Sequence, residues 1–306
     1  MKSYDIDEPS FLFDRLIVLP PSRNMVSSCG RPCFFFAVKF PHPQHERNNH
    51  MHIEKLSLYL ITLNEEKRLA RTLESAKGLA DEIIVVDSGS TDGTKAIAES
   101  FGARVIFHEW ESYGHQVKFA EEQCHYNWVL RLDADEVISP QLAEEISRLK
   151  ESGDKDGYIL PRGEVYPGMK HANPWVWHYR EIRLYDRKAW TMSGQPGNDA
   201  VIKARPNATY GKCRGFIDHY SYVSIFQIVS KYNKESENLA QRAMSQDKNY
   251  SSWRLVGAST LEFLKYYVLG RFFLLGWWGF IHCVNVSFLR FLKFAKFYEL
   301  SHREYE

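Results

Sequence analysis

Two carboxylates stand two residues apart at the end of a short apolar run. Asp133 and Asp135 follow residues 128–132, which have the length and apolarity typical of a buried parallel strand. Ligands of open α/β sheets bind outside the carboxyl ends of such strands, and residues i and i+2 of an extended segment face the same side. Because divalent cations prefer oxygen donors, this spacing predicts a shared cation that carries a diphosphate. The alternative is a solvated acidic turn, or a helix cap before Pro140.

Polar residues also follow the first two predicted strands. They are Thr62, Asn64 and Glu65 after the first strand, and Asp87, Ser88 and Gly89 after the second. The carboxyl ends of parallel strands lie at one edge of a sheet, so these residues should form one pocket with the two carboxylates. Asp87 is placed to bind a base or a ribose, whereas Asn64 has the alternative role of capping a helix.

The elements that must position these residues alternate between strand-like and helix-like patterns. The predicted strands are 56–61, 82–87, 104–107 and 128–132, and the predicted helices between them are 65–77, 92–101 and 115–125. Strands that alternate with helices of this length favour a mostly parallel, Rossmann-like sheet with right-handed crossovers. We therefore predict an α/β fold in which Asp133 and Asp135 follow the fourth strand.

Two other α/β enzyme classes fit these residues poorly. A dinucleotide-binding enzyme would carry the G-x-G-x-x-G fingerprint after its first strand, where this chain has Leu63, Asn64 and Glu65. A phosphatase with an aspartyl nucleophile would also have Asp-x-Asp at a strand end, but typically after the first strand and not the fourth. Both classes are therefore disfavoured.

Composition narrows the function classes further. The chain has 306 residues and a formal net charge of +1, so it carries no global field that would attract nucleic acid. Its five cysteines are scattered and odd in number, which suits a reducing compartment and not a disulfide framework. Residues 1–52 lack sustained periodicity and the pattern of a signal peptide. We interpret them as a disordered or mis-annotated extension, with Met51 as the natural start.

Three segments resemble the inverting family 2 glycosyltransferases. They are Ile61-Thr62-Leu63-Asn64-Glu65, the run from Ile84 to Thr94, and Leu132-Asp133-Ala134-Asp135-Glu136. Within that family the chain looks most like bacterial lipopolysaccharide core glucosyltransferases, and this resemblance covers residue 53 to the C-terminus. Less specific support for the resemblance comes from residues 113–118, 183–187 and 219–222. The resemblance implies a GT-A fold for residues 53–222.

The resemblance also implies roles for individual residues. A nucleoside-diphosphate sugar donor would contact Thr62, Asn64, Glu65, Asp87, Ser88, Gly89, Lys118, Asp133 and Arg183. The implied cofactor is Mg²⁺ or Mn²⁺, with Asp135 as the direct ligand, Asp133 beside it and His219 as a further ligand. The alternatives are a purely structural histidine and, for Lys118 and Arg183, a solvated basic face.

Inversion requires a general base that acts on the acceptor hydroxyl. The resemblance assigns this role to Asp199, which stands just before the predicted strand at residues 200–202, where the family has a carboxylate. Glu164 and Asp218 are the alternatives. An acceptor that presents a phosphate would need no strong base.

Residues 223–306 are predicted to be a helical region that associates with a membrane. Aromatic side chains concentrate after Leu261, and the basic residues that flank them are Lys265, Arg271, Arg290, Lys293 and Lys296. This combination is typical of amphipathic helices that lie on anionic lipid. Residues 273–289 approach the length of a spanning helix, but polar interruptions favour a position at the interface. The alternative is a helical lid that packs on the catalytic domain.

With the resemblance, these features suggest a metal-dependent enzyme that moves glucose from UDP-glucose to a heptose of a lipid-linked core oligosaccharide. Such an enzyme would work as a peripheral protein at the cytoplasmic face of a bacterial inner membrane. The donor sugar and the acceptor rest on the resemblance alone. Two alternatives stay open: a polyprenyl-phosphate glycosyltransferase, and a non-enzymatic nucleotide-sugar sensor held at the membrane.

Overall fold

The computed structural model describes residues 52–195, 200–222, 224–246, 248, 250–251 and 253–302. All of them belong to one compact unit, Asn48–Glu306. Apart from His52, the segment that we interpret as an extension lies outside the described residues.

The strands of the described residues are all short. They are β1 (Leu56–Thr62), β2 (Glu82–Asp87), β3 (Arg104–Phe107), β4 (Trp128–Arg131), β5 (Glu136–Ile138), β6 (Gly157–Glu164), β7 (Tyr179–Asp186), β8 (Trp190–Met192), β9 (Val201–Lys203), β10 (Gly211–Lys212) and β11 (Ile217–His219). The pair β8 and β9 forms a small antiparallel sheet of its own.

The other nine strands form one mixed sheet. Its order is β3-β2-β1-β4-β7-β6-β11-β5, with β10 beside β6. The pairs among β1, β2, β3 and β4 are all parallel, whereas β7 runs antiparallel to both β4 and β6. The predicted α/β fold is confirmed, and the carboxyl ends of β1, β2 and β4 lie at one edge as expected.

The helices are α1 (Leu69–Ser75), α2 (Thr94–Ser100), α3 (Tyr113–Glu122), α4 (Pro140–Ser152), α5 (Ile225–Ser245), α6 (Arg254–Leu264) and α7 (Trp277–His302). A π-helical turn, Lys265–Leu269, and a 3₁₀ turn, Phe272–Leu275, lie between α6 and α7. Our prediction that the first helix starts at Glu65 was wrong. Residues 66–68 form a turn in which the Glu65 carbonyl accepts from the amides of both Arg68 and Leu69 at 3.0 Å, and the regular helix begins at Leu69.

The core lies on both faces of the sheet. Leu58 and Leu60 of β1 point to the face covered by α1 and α4, where Leu69 and Leu142 pack against them. Tyr59, between them in the sequence, points to the opposite face with residues of α3. Burial on both faces explains why these strands are apolar throughout and do not alternate with polar residues.

The C-terminal helices have one packed side and one exposed side. Phe272, Leu275 and Cys283 are buried against Tyr166 and Val176, which belong to the connection between β6 and β7. The large apolar side chains that remain exposed are Leu261, Leu264, Val268, Leu269, Phe273, Leu274, Trp277, Phe280, Val284, Phe288, Phe291 and Tyr298. Within the described residues, no helix combines the length and the apolarity that crossing a bilayer requires.

The five basic residues that flank these aromatics were predicted to contact anionic lipid headgroups, but four of them are partly or fully buried or lie close to protein carboxylates. Lys293 is only 3% exposed. Lys296 donates to the Asn233 carbonyl at 2.6 Å and lies 3.4 Å from Glu237, and Lys265 lies 3.9 Å from Glu262. Arg290 is partly buried, with its guanidinium over the Phe294 ring. Of the five, only Arg271 is clearly exposed, at a left-handed backbone position with φ of 60°.

Candidate active site

The turns after β1 and β2 are bound to each other by side-chain hydrogen bonds. Asn64 adopts a φ of 56°, and its backbone amide donates to Ser90 Oγ at 2.8 Å. In return, Asn64 Oδ1 accepts from the backbone amide of Thr91 at 2.9 Å. The amide of Glu65 donates to Thr94 Oγ1 at 2.7 Å. These hydrogen bonds therefore hold the two turns together as one braced unit, that is, one cross-linked pair of turns at the carboxyl edge of the sheet.

Asp87 is the centre of this unit. Its Oδ1 accepts from the backbone amides of Gly89 at 3.0 Å and Ser90 at 2.8 Å, and its Oδ2 accepts from the hydroxyls of Thr62 at 3.1 Å and Ser90. Burial acts to raise the pKa of Asp87, but these hydrogen bonds outweigh it and leave the pKa below its ordinary value. The four bonds fill the acceptor positions of the carboxylate, so a base or ribose would have to replace one of them.

Gly89 and Ser88 complete the turn after β2. Gly89 has a φ of 101°, which is accessible to glycine and strained for other residues. Ser88 Oγ accepts from Gln116 Nε2 at 2.9 Å, and the same nitrogen lies 3.1 Å from the His108 carbonyl. Gln116 is fully buried on α3, so this helix fixes the Ser88 hydroxyl at the edge of the turn.

Lys118 lies on α3 and already has protein partners. Its Nζ donates to Glu121 Oε2 at 2.6 Å and to Thr191 Oγ1 at 2.7 Å. Glu121 is 1% exposed and also accepts from the Met192 amide at 3.0 Å. These contacts tie α3 to the small sheet of β8 and β9, so a donor contact by Lys118 would compete with them.

Asp133 lies in a turn and not on an extended segment, because the Glu136 amide donates back to the Asp133 carbonyl at 3.0 Å. The predicted alternation of side chains therefore does not apply to this stretch. Asp133 Oδ1 accepts from the Tyr113 hydroxyl at 2.8 Å, and Oδ2 lies 3.5 Å from Arg183 Nη2 and 3.7 Å from Arg162 Nη1. Burial acts to raise the pKa of Asp133, but the guanidinium charges hold it well below its ordinary range.

Buried ions behind Asp133 were missed by the sequence reasoning. Glu136 is 0% exposed and accepts from the Asp133 amide at 2.9 Å. Arg183 is 1% exposed, with Nη2 at 3.3 Å and Nη1 at 3.4 Å from Glu136, and Arg162 Nη1 lies 3.2 Å from the same carboxylate. Arg183 was predicted to contact the donor directly. Its guanidinium is instead enclosed by carboxylates, so here it holds Asp133 in place.

Asp135 faces a different set of partners. Its Oδ1 lies 3.4 Å from His219 Nε2, and its Oδ2 accepts from Arg68 Nη1 at 3.3 Å. Arg68 also binds both oxygens of Glu65 at 2.7 Å, which connects Asp135 to the turn after β1. Burial acts to raise the pKa of Asp135, but His219 and Arg68 outweigh it and keep the carboxylate ionised.

His219 stands between two carboxylates. Its Nδ1 donates to Glu164 Oε1 at 2.7 Å, and Glu164 also accepts from Ser221 Oγ at 2.6 Å. Burial alone would lower the pKa of His219, but the hydrogen bonds and charges of Asp135 and Glu164 raise it to about 10. The structure therefore brings His219 and Asp135 together, and their role as metal ligands stays a prediction.

The donor set fits a divalent cation in part. A carboxylate oxygen of Asp135 and an imidazole nitrogen of His219 are suitable ligands once the imidazole is neutral. Asp133, the third predicted ligand, is turned toward the arginines. Across the described part of the chain, no three His, Cys, Asp or Glu side chains are grouped closely enough to hold a metal. Remaining ligands would have to come from the diphosphate and water.

The predicted base Asp199 lies outside the described residues, in the gap 196–199 between β8 and β9. Both alternative bases have partners. Asp218 accepts from the Ala172 amide at 2.8 Å and is bonded to His171 Nδ1 at 2.7 Å. Glu164 is bonded to His219, as described above. Each alternative carboxylate is thus already engaged in holding another group.

The chain is similar to one family model and to several known proteins. Residues 57–211 match the family model described as Glycosyl transferase family 2. An uncharacterized glycosyltransferase of Rickettsia typhi is 36% identical over 258 residues, which cover 81% of this chain and 88% of the relative. The lipopolysaccharide core biosynthesis glycosyltransferase LpsC of Rhizobium meliloti is 30% identical over 252 residues, which cover 80% of this chain and 92% of LpsC. Among solved structures, S. aureus TarS 1–349 is similar with a TM-score of 0.40 and 12% identity, covering 82% of this chain and 94% of that one.

Proposed function

Because the chain belongs to glycosyl transferase family 2, and is therefore a glycosyltransferase with the GT-A fold, we propose that it transfers a hexose with inversion in a metal-dependent reaction. The proposed donor is UDP-glucose, and the proposed acceptor is a heptose of a lipopolysaccharide inner core. The similarity to LpsC, whose name refers to lipopolysaccharide core biosynthesis, supports this class of acceptor.

The observation that carries the proposal is the position of Asp135. Its carboxylate lies beside His219 and is joined through Arg68 to Glu65 in the braced turns after β1 and β2. A nucleotide that enters at the edge of the sheet would thus have its base side near the turns and its diphosphate near Asp135. This is the placement that a sugar transferase needs.

In the proposed reaction, Asp135 and His219 would hold the divalent cation, Mg²⁺ or Mn²⁺. When bound, the cation offsets negative charge that develops on the departing diphosphate. Glu164 orients the His219 ring through the hydrogen bond to Nδ1, as carboxylates commonly do for metal-binding histidines. Asp133 contributes to the ribose side of the site, where Tyr113 and the buried arginines fix its rotamer.

Asp199 is the proposed general base. A carboxylate within hydrogen-bond reach of the acceptor hydroxyl removes its proton as the sugar–phosphate bond breaks, and the sugar is delivered with inverted configuration. The assignment rests on the sequence resemblance, in which a carboxylate stands shortly before a strand, here β9 (Val201–Lys203).

The proposed site of action is the surface of a membrane, at the cytoplasmic face of a bacterial inner membrane. The exposed apolar side chains of α6, the turns after it and α7 support this part of the proposal. Trp277 is 80% exposed, Leu261 67% and Leu269 64%, although large apolar surfaces are usually covered. A lipid-linked acceptor would be concentrated at the same surface.

Mass analysis of lipopolysaccharide tests the proposal directly. Cells that lack the gene should produce a core that is one hexose lighter, and the wild-type gene should restore it. A variant with Asp135→Asn should fail to restore it at equal protein abundance. An unchanged core mass in the deletion strain would contradict the proposed acceptor, and restoration by the Asp135→Asn variant would contradict the proposed metal site.

A further inference from the structure

The hydrogen-bonded pair of Glu164 and His219 lies where two paired strands end. Glu164 is the last residue of β6 and His219 the last of β11, and the two are opposite each other in the parallel pairing of these strands. One further backbone bond, from the Val165 amide to the His219 carbonyl at 2.9 Å, follows the pair. The segments that continue from it lie outside the sheet, so contacts other than the strand pairing must fix their positions.

Each of these two segments carries a tyrosine that packs on α7. Tyr166 comes two residues after Glu164, and its ring is stacked on the Trp278 indole with 5.9 Å between ring centres and 12° between ring planes. Tyr222 comes three residues after His219, and its ring meets the same indole edge to face at 4.9 Å. One side chain of α7, Trp278, therefore contacts both segments that leave the pair.

Two hydrogen bonds strengthen the connection between α7 and Glu164. The Tyr166 hydroxyl and His282 Nδ1 are hydrogen-bonded at 2.7 Å, and His282 lies on α7. Ser221, which donates to Glu164 at 2.6 Å, directly precedes Tyr222 in the chain. A displacement of α7 would therefore act on Glu164 along two routes, through the backbone that leads to Tyr166 and through the hydroxyl of Ser221.

The first turn of α7 is itself closely packed. Gly279 approaches the preceding 3₁₀ turn so closely that a β-carbon at this position would lie 1.8 Å from the Phe272 carbonyl oxygen. Phe272 and Leu275 of that turn are buried in one apolar cluster with Tyr166. Close-packed interiors transmit displacements instead of absorbing them. The start of α7 can therefore serve as a fixed support for the segments that pack on it.

We propose that α7 positions the pair of Glu164 and His219, and that Trp278 is the positioning residue. Glu164 can orient the imidazole only while its carboxylate stays within hydrogen-bond distance of Nδ1, now 2.7 Å. The inference rests on the proposed metal role of His219. It goes beyond that role because it gives α7, which the sequence assigned to a membrane surface, a part in shaping the catalytic site.

The two tryptophans at the start of α7 show that the helix can have both functions. Trp277 is 80% exposed, whereas Trp278 is partly buried against the two tyrosines. Successive residues of an α-helix point about 100° apart, so the two indoles face different surroundings. The side of Trp277 is available to a membrane, and the side of Trp278 supports the site.

Substitution of Trp278 in the full-length protein tests the proposal. Loss of the partner of a metal-binding histidine lowers metal affinity about 10–100-fold, so Trp278→Leu, which removes a support of that partner, should lower the affinity for Mn²⁺ in the presence of UDP by about five- to tenfold. Trp278→Phe keeps an aromatic ring against the tyrosines and should stay within about twofold of the wild type. Trp253→Leu is the matched control, since Trp253 is 83% exposed, and it should bind Mn²⁺ as the wild type does.

Amide hydrogen exchange of the metal-free protein gives a second readout that does not depend on the cation. In Trp278→Leu, the amides of Val165 and Tyr220 should exchange at least about threefold faster than in the wild type, because the segments around the site open more often. These amides donate to the carbonyls of His219 and Asp135. The amides between β1 and β2 should keep their wild-type rates. Faster exchange throughout the sheet would indicate a general loss of stability and would overturn the positioning role.

The two readouts together separate this proposal from the proposed function. Equal Mn²⁺ affinities and equal exchange rates in Trp278→Leu and Trp253→Leu would overturn the proposal. If the wild type binds Mn²⁺ and Trp278→Leu binds it equally well despite faster exchange, α7 supports the fold and not the site, and the proposal is wrong. If UDP binding by the wild type does not depend on Mn²⁺, the proposed metal dependence is wrong, whereas faster exchange confined to Val165 and Tyr220 would still support the positioning of Glu164 and His219 by α7.

Discussion

His219 Nε2 lies 3.4 Å from Asp135 Oδ1, and this contact forms where β11 pairs with β5. Asp135 directly precedes β5, and β5 runs antiparallel to β11, with Glu136 opposite His219. The Tyr220 amide also donates to the Asp135 carbonyl at 2.9 Å, so the pairing of these two strands brings the carboxylate and the imidazole together. On its other nitrogen, His219 is held by Glu164 at 2.7 Å.

Replacement of Asp135 tests the metal role most directly. Asp135→Asn should lower Mn²⁺-dependent binding of UDP by at least about 100-fold. Loss of a residue that only hydrogen-bonds to a metal ligand already lowers metal affinity about 10–100-fold, and Asp135 is a proposed ligand itself. The fold should persist, because Asp135 is at the edge and not in the core. Calorimetry with and without a chelator measures the effect, and Glu144→Gln on α4 is the exposed control. Wild-type activity that survives complete chelation would exclude the metal role.

Asp87→Ala should lower the stability of the protein and also weaken donor binding. The carboxylate satisfies two backbone amides and two hydroxyls, and a buried donor left without a partner costs roughly 1–3 kcal/mol. The free energy of unfolding should fall by at least this amount, and KM for the donor should rise several-fold because the turn loses its shape. Urea unfolding and donor titration measure the two effects. A turnover defect with unchanged stability and unchanged KM would show that Asp87 acts in the chemical step.

Asp199→Asn should separate chemistry from binding. Turnover should fall by about 10² to 10⁴, the usual contribution of a positioned general base, while the affinities for UDP and metal stay unchanged. Steady-state kinetics measures the turnover of the variant, and calorimetry on the same variant measures its affinities for UDP and metal. A loss of less than tenfold would move the role to Glu164 or Asp218, or would point to an acceptor that presents a phosphate.

Trp277→Ser should reduce membrane binding without affecting the nucleotide site. Trp277 is 80% exposed, so its loss costs the fold little, whereas an aromatic side chain inserted at an interface contributes on the order of 1 kcal/mol or more. We expect at least fivefold weaker flotation with vesicles that persists at high salt, and unchanged UDP binding. Equal flotation of the variant and the wild type would favour the lid alternative for the C-terminal helices.

Lys293 predicts a pH dependence of stability. Its pKa is lowered to about 8 in the folded protein, whereas a lysine in the unfolded chain titrates near 10.4. Below pH 8 both states carry the charge and its burial penalty is full, and the penalty disappears as the pH rises from about 8 through 10.4. The wild type should therefore gain stability relative to Lys293→Met across this interval. If the difference in unfolding free energy between the wild type and Lys293→Met stays constant from pH 7 to 11, the shifted pKa is contradicted.

The strands that carry the site could be predicted from the sequence because they are buried on both faces. Leu58, Tyr59 and Leu60 are all apolar although they point alternately to opposite cores, so β1 reads as a continuous apolar run. β2 and β3 have the predicted bounds. The start of α1 was missed because residues 66–68 form a turn that shares its hydrogen bonds to the Glu65 carbonyl between Arg68 and Leu69, and the acidic residues after Asn64 do not distinguish such a turn from a regular helix.

The buried ions around Asp133 were not predictable in the same way. Arg131, Arg162 and Arg183 belong to β4, β6 and β7, which become neighbours only through the order β4-β7-β6 in the sheet. An arginine in a strand is ordinarily read as a solvated position. The available signals were Arg131 at the end of an otherwise apolar strand and Glu136 directly after the paired carboxylates. Chain topology, and not composition, decides that these charges meet.

The hydrogen bonds between the turns after β1 and β2 determine the entropy change when a nucleotide binds. Asn64, Thr91, Glu65 and Thr94 fix both backbones in the free protein, so folding has already removed their conformational freedom. A nucleotide therefore meets a preorganised surface and does not have to order a loose loop. Association should show little loss of protein entropy on the base side, and most of the ordering on binding should be confined to segments outside these two turns.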